Sequence, residues 1–180
     1  MSSLLFELVY ALYFVFPAYV ANALPVLLGG GHAIDGGKVW SDGRPVFGSH
    51  KTIRGFLAGV IGGTLVSVAE MAVLQAVKVP SDFILPFQPT ILLGFVVSIG
   101  ALIGDLVHSF VKRRLGIGEG LPFPVADQLD FVLGAILFSL PLIASSSPWL
   151  MILIILIITL PIHLLTNLLA YLLGLKKRPW

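Results

Sequence analysis

Five long apolar runs divide the chain, and each is long enough to cross a lipid bilayer as a helix. They cover residues 4–28, 53–77, 90–111, 127–144 and 149–175. A helix needs about 20 residues to span the hydrocarbon core of a bilayer. Charged residues make up only 11% of the sequence, whereas soluble domains carry about 25%. The pattern predicts an all-α integral membrane protein with five transmembrane helices.

Other features of the sequence narrow this class further. The apolar runs are continuous rather than alternating, which argues against a transmembrane β-barrel. Glu7 stands in the first run with no basic residue before it, so we do not expect a cleaved signal peptide. There are no cysteines, which excludes disulfides and thiolate chemistry. Without repeats or a separate polar segment, residues 1–180 are expected to form a single membrane-embedded domain.

Basic residues are concentrated in two polar loops and at the C-terminus. With five spans, loops 29–52 and 112–126 and the C-terminus lie on one side of the membrane. Ten of the eleven lysines and arginines fall there or at adjoining helix ends, and Lys78 falls on the other side. Short loops rich in Lys and Arg stay in the cytoplasm. We therefore predict a cell-membrane protein with its N-terminus outside, its C-terminus cytoplasmic and both loops in a cytoplasmic polar cap.

Three aspartates stand at the ends of the apolar runs that meet this cap. Asp105 lies near the end of the third run, while Asp127 and Asp130 begin the fourth on one helix face. Mg²⁺ prefers oxygen ligands and often uses carboxylates together with substrate phosphates. We interpret the three aspartates as catalytic residues and magnesium ligands. The alternatives are that Asp127 caps its helix and that Asp105 forms a structural ion pair with Lys112 or Arg54.

Several other polar residues accompany these acids. Ser109 and Lys112 follow Asp105 on the same helix face, and Lys112 is a further candidate catalytic residue. The Gly-rich first loop permits turns whose N–H groups converge on an anion. The alternatives are that this loop contacts lipid headgroups and that Asn22 joins two helices. The candidate nucleotide-binding residues are Asn22, Asp35, Lys38, Arg44, Lys51, Arg54, Ser109 and Arg113.

The remaining polar and small residues are assigned no chemistry. His32, His50 and His108 do not show a metal-binding spacing, and Glu7 and Glu70 are given no role. His163 and Asn167, four residues apart, are interpreted as a structural polar pair. Four glycines in the second run either shape a lipid groove or allow close helix packing; they are Gly55, Gly59, Gly62 and Gly63.

The motifs around these residues are similar to those of a known family. ANALPV, IDGG, FGSHKTIRGF and GD..HSFVKRR.GI..G...P..DQLDF resemble the CDP-archaeol synthases, archaeal members of the membrane CTP:phosphatidate cytidylyltransferases, over nearly the whole chain. A weaker similarity to bacterial CDP-diacylglycerol synthases covers S-x-x-K-R and D-x-x-D. This chain departs from that pattern at Gly118, Glu119 and residues 122–125. The two motifs fall on Ser109, Lys112, Arg113, Asp127 and Asp130.

The resemblance implies an activity. The chain would transfer CMP from CTP to the phosphate of 2,3-bis-O-geranylgeranylglycerol 1-phosphate, giving CDP-archaeol and pyrophosphate with Mg²⁺ as cofactor. Its partners would be CTP, a membrane lipid phosphate and the bilayer, with no nucleic acid and no obligate protein partner. Two other functions stay open on the residues alone. A CTP-dependent polyprenol kinase would release CDP, and a small transporter would spread ionisable groups through the membrane depth.

Overall fold

The computed structural model describes residues 2–77, 87, 89–144 and 148–176, and these form five helices joined by loops. The helices are α1 (Ser2–Leu28), α2 (Ile53–Ala76), α3 (Ile91–Arg114), α4 (Ala126–Ile143) and α5 (Trp149–Leu172). Within the described residues, all five are long and apolar enough to cross a membrane. The expected all-α membrane architecture is therefore confirmed.

Some helix ends differ from those expected. α3 continues through Arg114, so Lys112 belongs to its last turn rather than to the following loop. Basic side chains are favourable there because the C-terminus of a helix carries partial negative charge. α5 ends at Leu172 rather than at residue 175. The expected turns at 78–89 and 145–148 lie mainly outside the described residues, as do three basic residues used to predict orientation: Lys78, Lys177 and Arg178.

Threonine side chains begin α2 and α3. Thr52 Oγ1 accepts a hydrogen bond from the Gly55 amide at 3.2 Å, and Thr90 Oγ1 accepts one from the Leu93 amide at 3.0 Å. Such caps satisfy amides that the first turn of a helix leaves unpaired. The cap on α2 fixes the point at which the first loop enters the bundle, and therefore the position of Lys51 just before it.

Glycines bring α3 and α4 into backbone contact. A Cβ placed at Gly100 would lie 2.8 Å from the Gly134 carbonyl oxygen, and one at Gly134 would lie 2.7 Å from Gly104 Cα. A Cβ at Gly104 would overlap the Asp130 carbonyl oxygen. Small residues allow helices to approach this closely. The contact sets Asp105, next to Gly104, at the level of Asp130.

The four glycines of α2 serve helix packing. Three of them are buried, and a Cβ at any of the four would crowd atoms of α1 at Pro17, Ala21, Leu24 or Pro25. Of the two alternatives for these glycines, close packing is the one observed.

The apolar core lies between α1, α3, α4 and α5. Its largest fully buried apolar side chains include Phe131, Ile143, Met151, Ile155, Val15 and Val97. Outward-facing leucines, valines and isoleucines are exposed along all five helices. This arrangement suits a lipid solvent, and it leaves the polar residues at the end of the bundle where the two described loops lie.

Candidate active site

The two loops contact each other at one end of the bundle. Loop one (residues 29–52) places Ser49 against Glu119 of loop two (residues 115–125), with Ser49 Oγ 2.8 Å from Glu119 Oε2. Arg114, at the end of α3, forms an ion pair with Asp42 at 3.2 Å. Trp40 of loop one packs edge-on against Phe110 of α3, with ring centroids 5.2 Å apart. These contacts hold loop one against loop two and the end of α3.

Asp35 folds loop one internally. Its carboxylate accepts hydrogen bonds from the amides of Gly37, Phe47 and Gly48 at 2.9, 2.9 and 3.1 Å. Burial raises the pKa of Asp35, but these amide hydrogen bonds outweigh burial and hold the pKa below its ordinary value. These contacts show that Asp35 shapes loop one, and none of them requires a bound nucleotide.

Asp127 is held by three donors beneath the loops. His108 Nε2 and Lys112 Nζ each lie 2.7 Å from its Oδ1 atom, and the Phe123 amide donates to Oδ2 at 2.7 Å. The residue at the N-cap of α4 is Val125, with φ 67° and no side-chain cap hydrogen bond. The alternative that Asp127 is the N-cap is therefore wrong.

Asp130 lies one turn deeper and is almost closed off from solvent, with 8% of its side chain exposed. Its Oδ1 atom accepts a hydrogen bond from the Phe131 amide at 2.6 Å, and Oδ2 lies 3.9 Å from His108 Nε2. A carboxylate in apolar surroundings requires charged or hydrogen-bonding partners. Its burial so close to Asp127 marks this point as a site for positive charge.

Asp105 pairs with a lysine from loop one. Lys51 Nζ lies 2.7 and 2.5 Å from the two carboxylate oxygens of Asp105. The structural ion-pair alternative for Asp105 is thus confirmed in kind, but the expected partners, Lys112 and Arg54, are wrong. Asp105 also acts electrostatically on Asp130. Lys51 therefore belongs to the acidic centre, which we define as Asp105, His108, Asp127, Asp130 and the two lysines, Lys51 and Lys112.

Part of this centre has the geometry of a cation site. One ligand atom from each of His108, Asp127 and Asp130 lies within 4.8 Å of the other two. The carboxylate oxygens suit a hard cation such as Mg²⁺, whereas imidazole more often binds transition metals. A cation on Asp127 Oδ1 would replace or share the contacts of Lys112 and His108. The two carboxylates fit a divalent cation; Asp105 lies outside this group and is held by Lys51.

His108 was missed by the sequence analysis. The histidines were compared with one another, and no metal-binding spacing was found among them. A usable signal was present on α3, where His108 lies three residues after Asp105 and four before Lys112. Such spacings place side chains on one helix face.

Three of the expected nucleotide-binding arginines bond backbone carbonyl groups. Arg54 Nε donates to the Leu28 carbonyl at 2.7 Å, and its Nη2 donates to the Gly29 carbonyl. Arg44 Nη1 donates to the carbonyls of Arg113 and Arg114 at 3.2 and 2.7 Å. Arg113 Nη2 donates to a loop-two carbonyl, that of Gly118, at 3.2 Å. These arginines close the C-terminal ends of α1 and α3.

The other expected binding residues divide into two groups. Ser109 is buried on α3, one turn after Asp105. Lys38 is exposed on loop one and Asn22 is half-buried on α1. Neither the Lys38 nor the Asn22 side chain has a hydrogen-bond partner among the residues that the structure describes. The structure therefore brings Lys51 and Lys112 to the aspartates and leaves Lys38 at the loop surface.

A second polar group lies at the end of α5. Asn167 Nδ2 is 3.1 Å from His163 Nδ1, which confirms the expected pair. Lys176, just after the helix, donates from Nζ to Asn167 Oδ1 at 2.9 Å. This lysine was counted only as an orientation signal in the sequence.

Comparison with known proteins identifies the group to which this arrangement belongs. The family model for CarS-like proteins, described as CDP-archaeol synthase, matches residues 2–180. A CDP-archaeol synthase from Thermococcus gammatolerans is 46% identical over 171 residues, covering 95% of each chain. One from Methanococcoides burtonii is 43% identical over 176 residues, covering 91% of this chain and 99% of the relative.

A solved structure extends this agreement to the fold. It is an intramembrane enzyme for archaeal membrane lipid biosynthesis, 38% identical to this chain with a TM-score of 0.71. The match covers 87% of this chain and 92% of the other. Sequence and fold therefore agree over most of the chain. This chain therefore belongs to the CarS-like family of CDP-archaeol synthases.

Proposed function

We propose that this protein transfers the CMP group of CTP to the phosphate of 2,3-bis-O-geranylgeranylglycerol 1-phosphate, releasing pyrophosphate. The observation that carries the proposal is the acidic centre, where Asp127 and Asp130 meet Lys51 and Lys112 at one end of a membrane bundle. The product, CDP-archaeol, is the one named for the family. This makes the protein a membrane nucleotidyltransferase that activates a lipid phosphate for phospholipid biosynthesis.

The reaction joins two anions. An oxygen of the lipid phosphate attacks the α-phosphorus of CTP, the bond from that phosphorus to the bridging oxygen of the β-phosphate breaks, and pyrophosphate leaves with the bonding pair. A phosphate monoester is largely ionised at neutral pH, since its second pKa is about 6. The attacking oxygen needs no general base. The protein's task is to align the groups and to offset their mutual repulsion.

A divalent cation fits this task, and we propose that it is Mg²⁺ held by Asp127 and Asp130. When bound, it would neutralise phosphate charge at the reacting group. Asp105 then contributes to the negative potential that draws positive charge to this point, and it holds Lys51 at the edge of the centre. His108 fixes the orientation of the Asp127 carboxylate through its 2.7 Å contact.

The two lysines of the centre are placed to receive phosphate oxygens. Lys112 Nζ bonds the Leu121 carbonyl at 2.8 Å as well as Asp127, so its ammonium is fixed between loop two and the start of α4. Lys51 is held from the side of loop one. Each ammonium has three donors, and can bond a phosphate while keeping its carboxylate contact. These lysines would hold the nucleotide phosphates and the departing pyrophosphate.

The orientation in the membrane is part of the same proposal. CTP is a water-soluble cytoplasmic nucleotide, so we propose that the end of the bundle carrying both loops faces the cytoplasm. The Lys and Arg residues of the loops agree with this orientation. The lipid substrate would reach the centre from the bilayer, where its chains remain in apolar surroundings.

Substitution of the two cation-site carboxylates tests the proposal. Asp127→Asn and Asp130→Asn proteins in detergent are expected to lose kcat by about 100-fold or more, the scale seen when one preorganised electrostatic group is removed. Asp42→Asn is the matched control at the same end of the bundle. CTP labelled at the α-phosphate distinguishes CDP-lipid from the CDP that a kinase would release. Normal turnover in both variants would contradict the site assignment, and release of CDP would contradict the reaction.

A further inference from the structure

The polar group at the end of α5 is not used by the reaction as described so far. It consists of His163, Asn167 and Lys176, joined by contacts of 3.1 and 2.9 Å. All three residues are partly buried. α5 is the most apolar of the five described spans. Polar side chains are energetically unfavourable in such a helix, and their presence suggests a functional site.

One side of this group faces the acidic centre. The His163 ring lies 5.9 Å from the ring of Phe131, which directly follows Asp130. His163 and Lys176 both interact electrostatically with Asp127. Burial lowers the pKa of Lys176, the negative charge of Asp127 raises it, and the positive charge of Lys51 lowers it. The ammonium therefore lies within electrostatic range of both Asp127 and Lys51.

The other side of the group faces lipid. Neighbouring leucines on α5 are between 43% and 58% exposed; they are Leu164, Leu165, Leu168 and Leu169. Within the described residues, α5 packs against α1 and α4 and does not touch α2 or α3. A hydrogen bond of 2.9 Å between the hydroxyls of Tyr19 and Thr159 helps to fix α5 against α1. The polar group thus lies between the aspartates and a lipid-exposed helix surface.

The chemistry requires anion-binding groups at two places. In-line displacement puts the attacking phosphate and the leaving pyrophosphate on opposite sides of the α-phosphorus. Lys112 lies at the end of α3 and Lys51 in loop one, just before α2, and neither α3 nor α2 packs against α5 in the described structure. The charge of Lys51 nevertheless reaches Lys176. A phosphate entering from the bilayer beside α5 would meet Lys176 and Asn167 first, while the water-soluble nucleotide lies beneath the loops.

We infer that Asn167 and Lys176 bind the phosphate of the lipid substrate, with His163 orienting the Asn167 amide. This inference rests on the proposed function and assigns its acceptor subsite. The amide N–H and the ammonium are donors suited to phosphate oxygens, and the charge on Lys176 strengthens the hydrogen bond. The three act as binding and positioning residues, whereas the nucleotide phosphates are bound by the lysines of the acidic centre.

Kinetic constants for the two substrates test the assignment. In Lys176→Met and Asn167→Leu, the KM for the lipid phosphate is expected to rise about tenfold or more, the scale of one charge-assisted hydrogen bond. The KM for CTP should stay within about twofold, and Lys176→Arg should recover much of the lipid affinity. Thr166→Val is the control, since among the residues that the structure describes its hydroxyl bonds only the Ile162 carbonyl of its own helix. An equal rise in both KM values, or no rise in either, would overturn the inference.

A binding measurement separates this inference from the reaction itself. Purified protein in nanodiscs of zwitterionic lipid is titrated with a dialkylglycerol phosphate and, separately, with the uncharged dialkylglycerol. Tighter binding of the phosphate that is lost in Lys176→Met supports the subsite, even if CTP is not turned over. Equal binding of both lipids, or phosphate binding that is unchanged in Lys176→Met and Asn167→Leu, refutes it even if the enzyme is active.

Discussion

The lysines of the acidic centre and the arginines of the loop boundary were both expected to bind nucleotide, yet the structure uses them differently. Lys51 and Lys112 pair with aspartate carboxylates, whereas Arg44 and Arg54 bond backbone carbonyls at helix ends. An arginine presents several N–H groups in a rigid plane, which suits neighbouring carbonyls, while a lysine is a compact charge that turns readily. Basic residues at one membrane face therefore divide into those that fold the face and those available to phosphates.

Among these basic residues, replacement of Lys112 should have the largest effect on catalysis. Lys112→Met removes the ammonium bound to Asp127, and we expect kcat to fall by about 100-fold. Steady-state kinetics and a thermal melt in detergent measure activity and stability on the same sample. Because Lys112 also bonds the Leu121 carbonyl, Lys112→Arg serves as the charge-preserving control. If Lys112→Met lowers Tm but leaves turnover unchanged, Lys112 has a structural role like that of the arginines. The proposed difference between the lysines and the arginines would then be wrong.

Lys51 should have a smaller effect on catalysis, because it pairs with the carboxylate outside the cation group. Lys51→Met leaves Asp105 without its partner, so both stability and activity should fall, activity by about tenfold or more. The double variant Lys51→Met/Asp105→Asn removes the unpaired charge and should recover thermal stability without recovering activity. If the double variant regains both, the pair is structural and the division between lysines and arginines does not hold.

Arg54 should affect stability more than turnover. Arg54→Met leaves the Leu28 and Gly29 carbonyls without their charged donor, a loss of roughly 1.5 kcal/mol or more, which we expect to lower Tm by about 3 °C or more. Differential scanning fluorimetry in detergent measures this shift, and Lys38→Met is a control for the loss of one basic charge at the same end of the bundle. A loss of turnover larger than that of Lys112→Met would place Arg54 at the nucleotide.

Acidification should produce the smallest effect, at the contact between the two loops. Burial raises the pKa of Glu119, but hydrogen bonds from Ser49 outweigh it and hold the pKa below its ordinary value of 4.5. A carboxylate with a lowered pKa adds stability that is full above the ordinary value and is lost as pH falls through the lowered one.

The fluorescence of Trp40 reports on this contact, because its ring packs on Phe110 beneath loop one. In a protein with the other two tryptophans replaced by Phe, the signal should change as pH falls below about 4.5, and Glu119→Gln should abolish that change. The same pH response in Glu119→Gln would show that another group governs the loop contact.

The fold could be predicted from the sequence because a continuous apolar run that crosses a bilayer can adopt few structures other than a helix. Asp127 and Asp130 were readable because carboxylates are costly in such runs. The partner of Asp105 was not readable, since Lys51 is 54 positions away along the chain and only the packing of α1, α2 and α3 joins them. The roles of the arginines could not be predicted from the sequence either, because their hydrogen-bond acceptors are backbone carbonyls, which every residue carries. His108 could have been found from its spacing to Asp105 and Lys112.

The close glycine contact between α3 and α4 determines which parts of this enzyme can vary in sequence and packing. Gly104 and Gly134 leave no room for a methyl group between the two backbones, so these helices cannot slide or separate without unmaking the arrangement of Asp105 and Asp130. Adaptation to lipids of different shape therefore has to occur elsewhere. Of the five helices in the described structure, α5 packs least extensively against its neighbours. It is the helix on which variation in lipid chain length or headgroup preference could be tolerated, and on which engineering should begin.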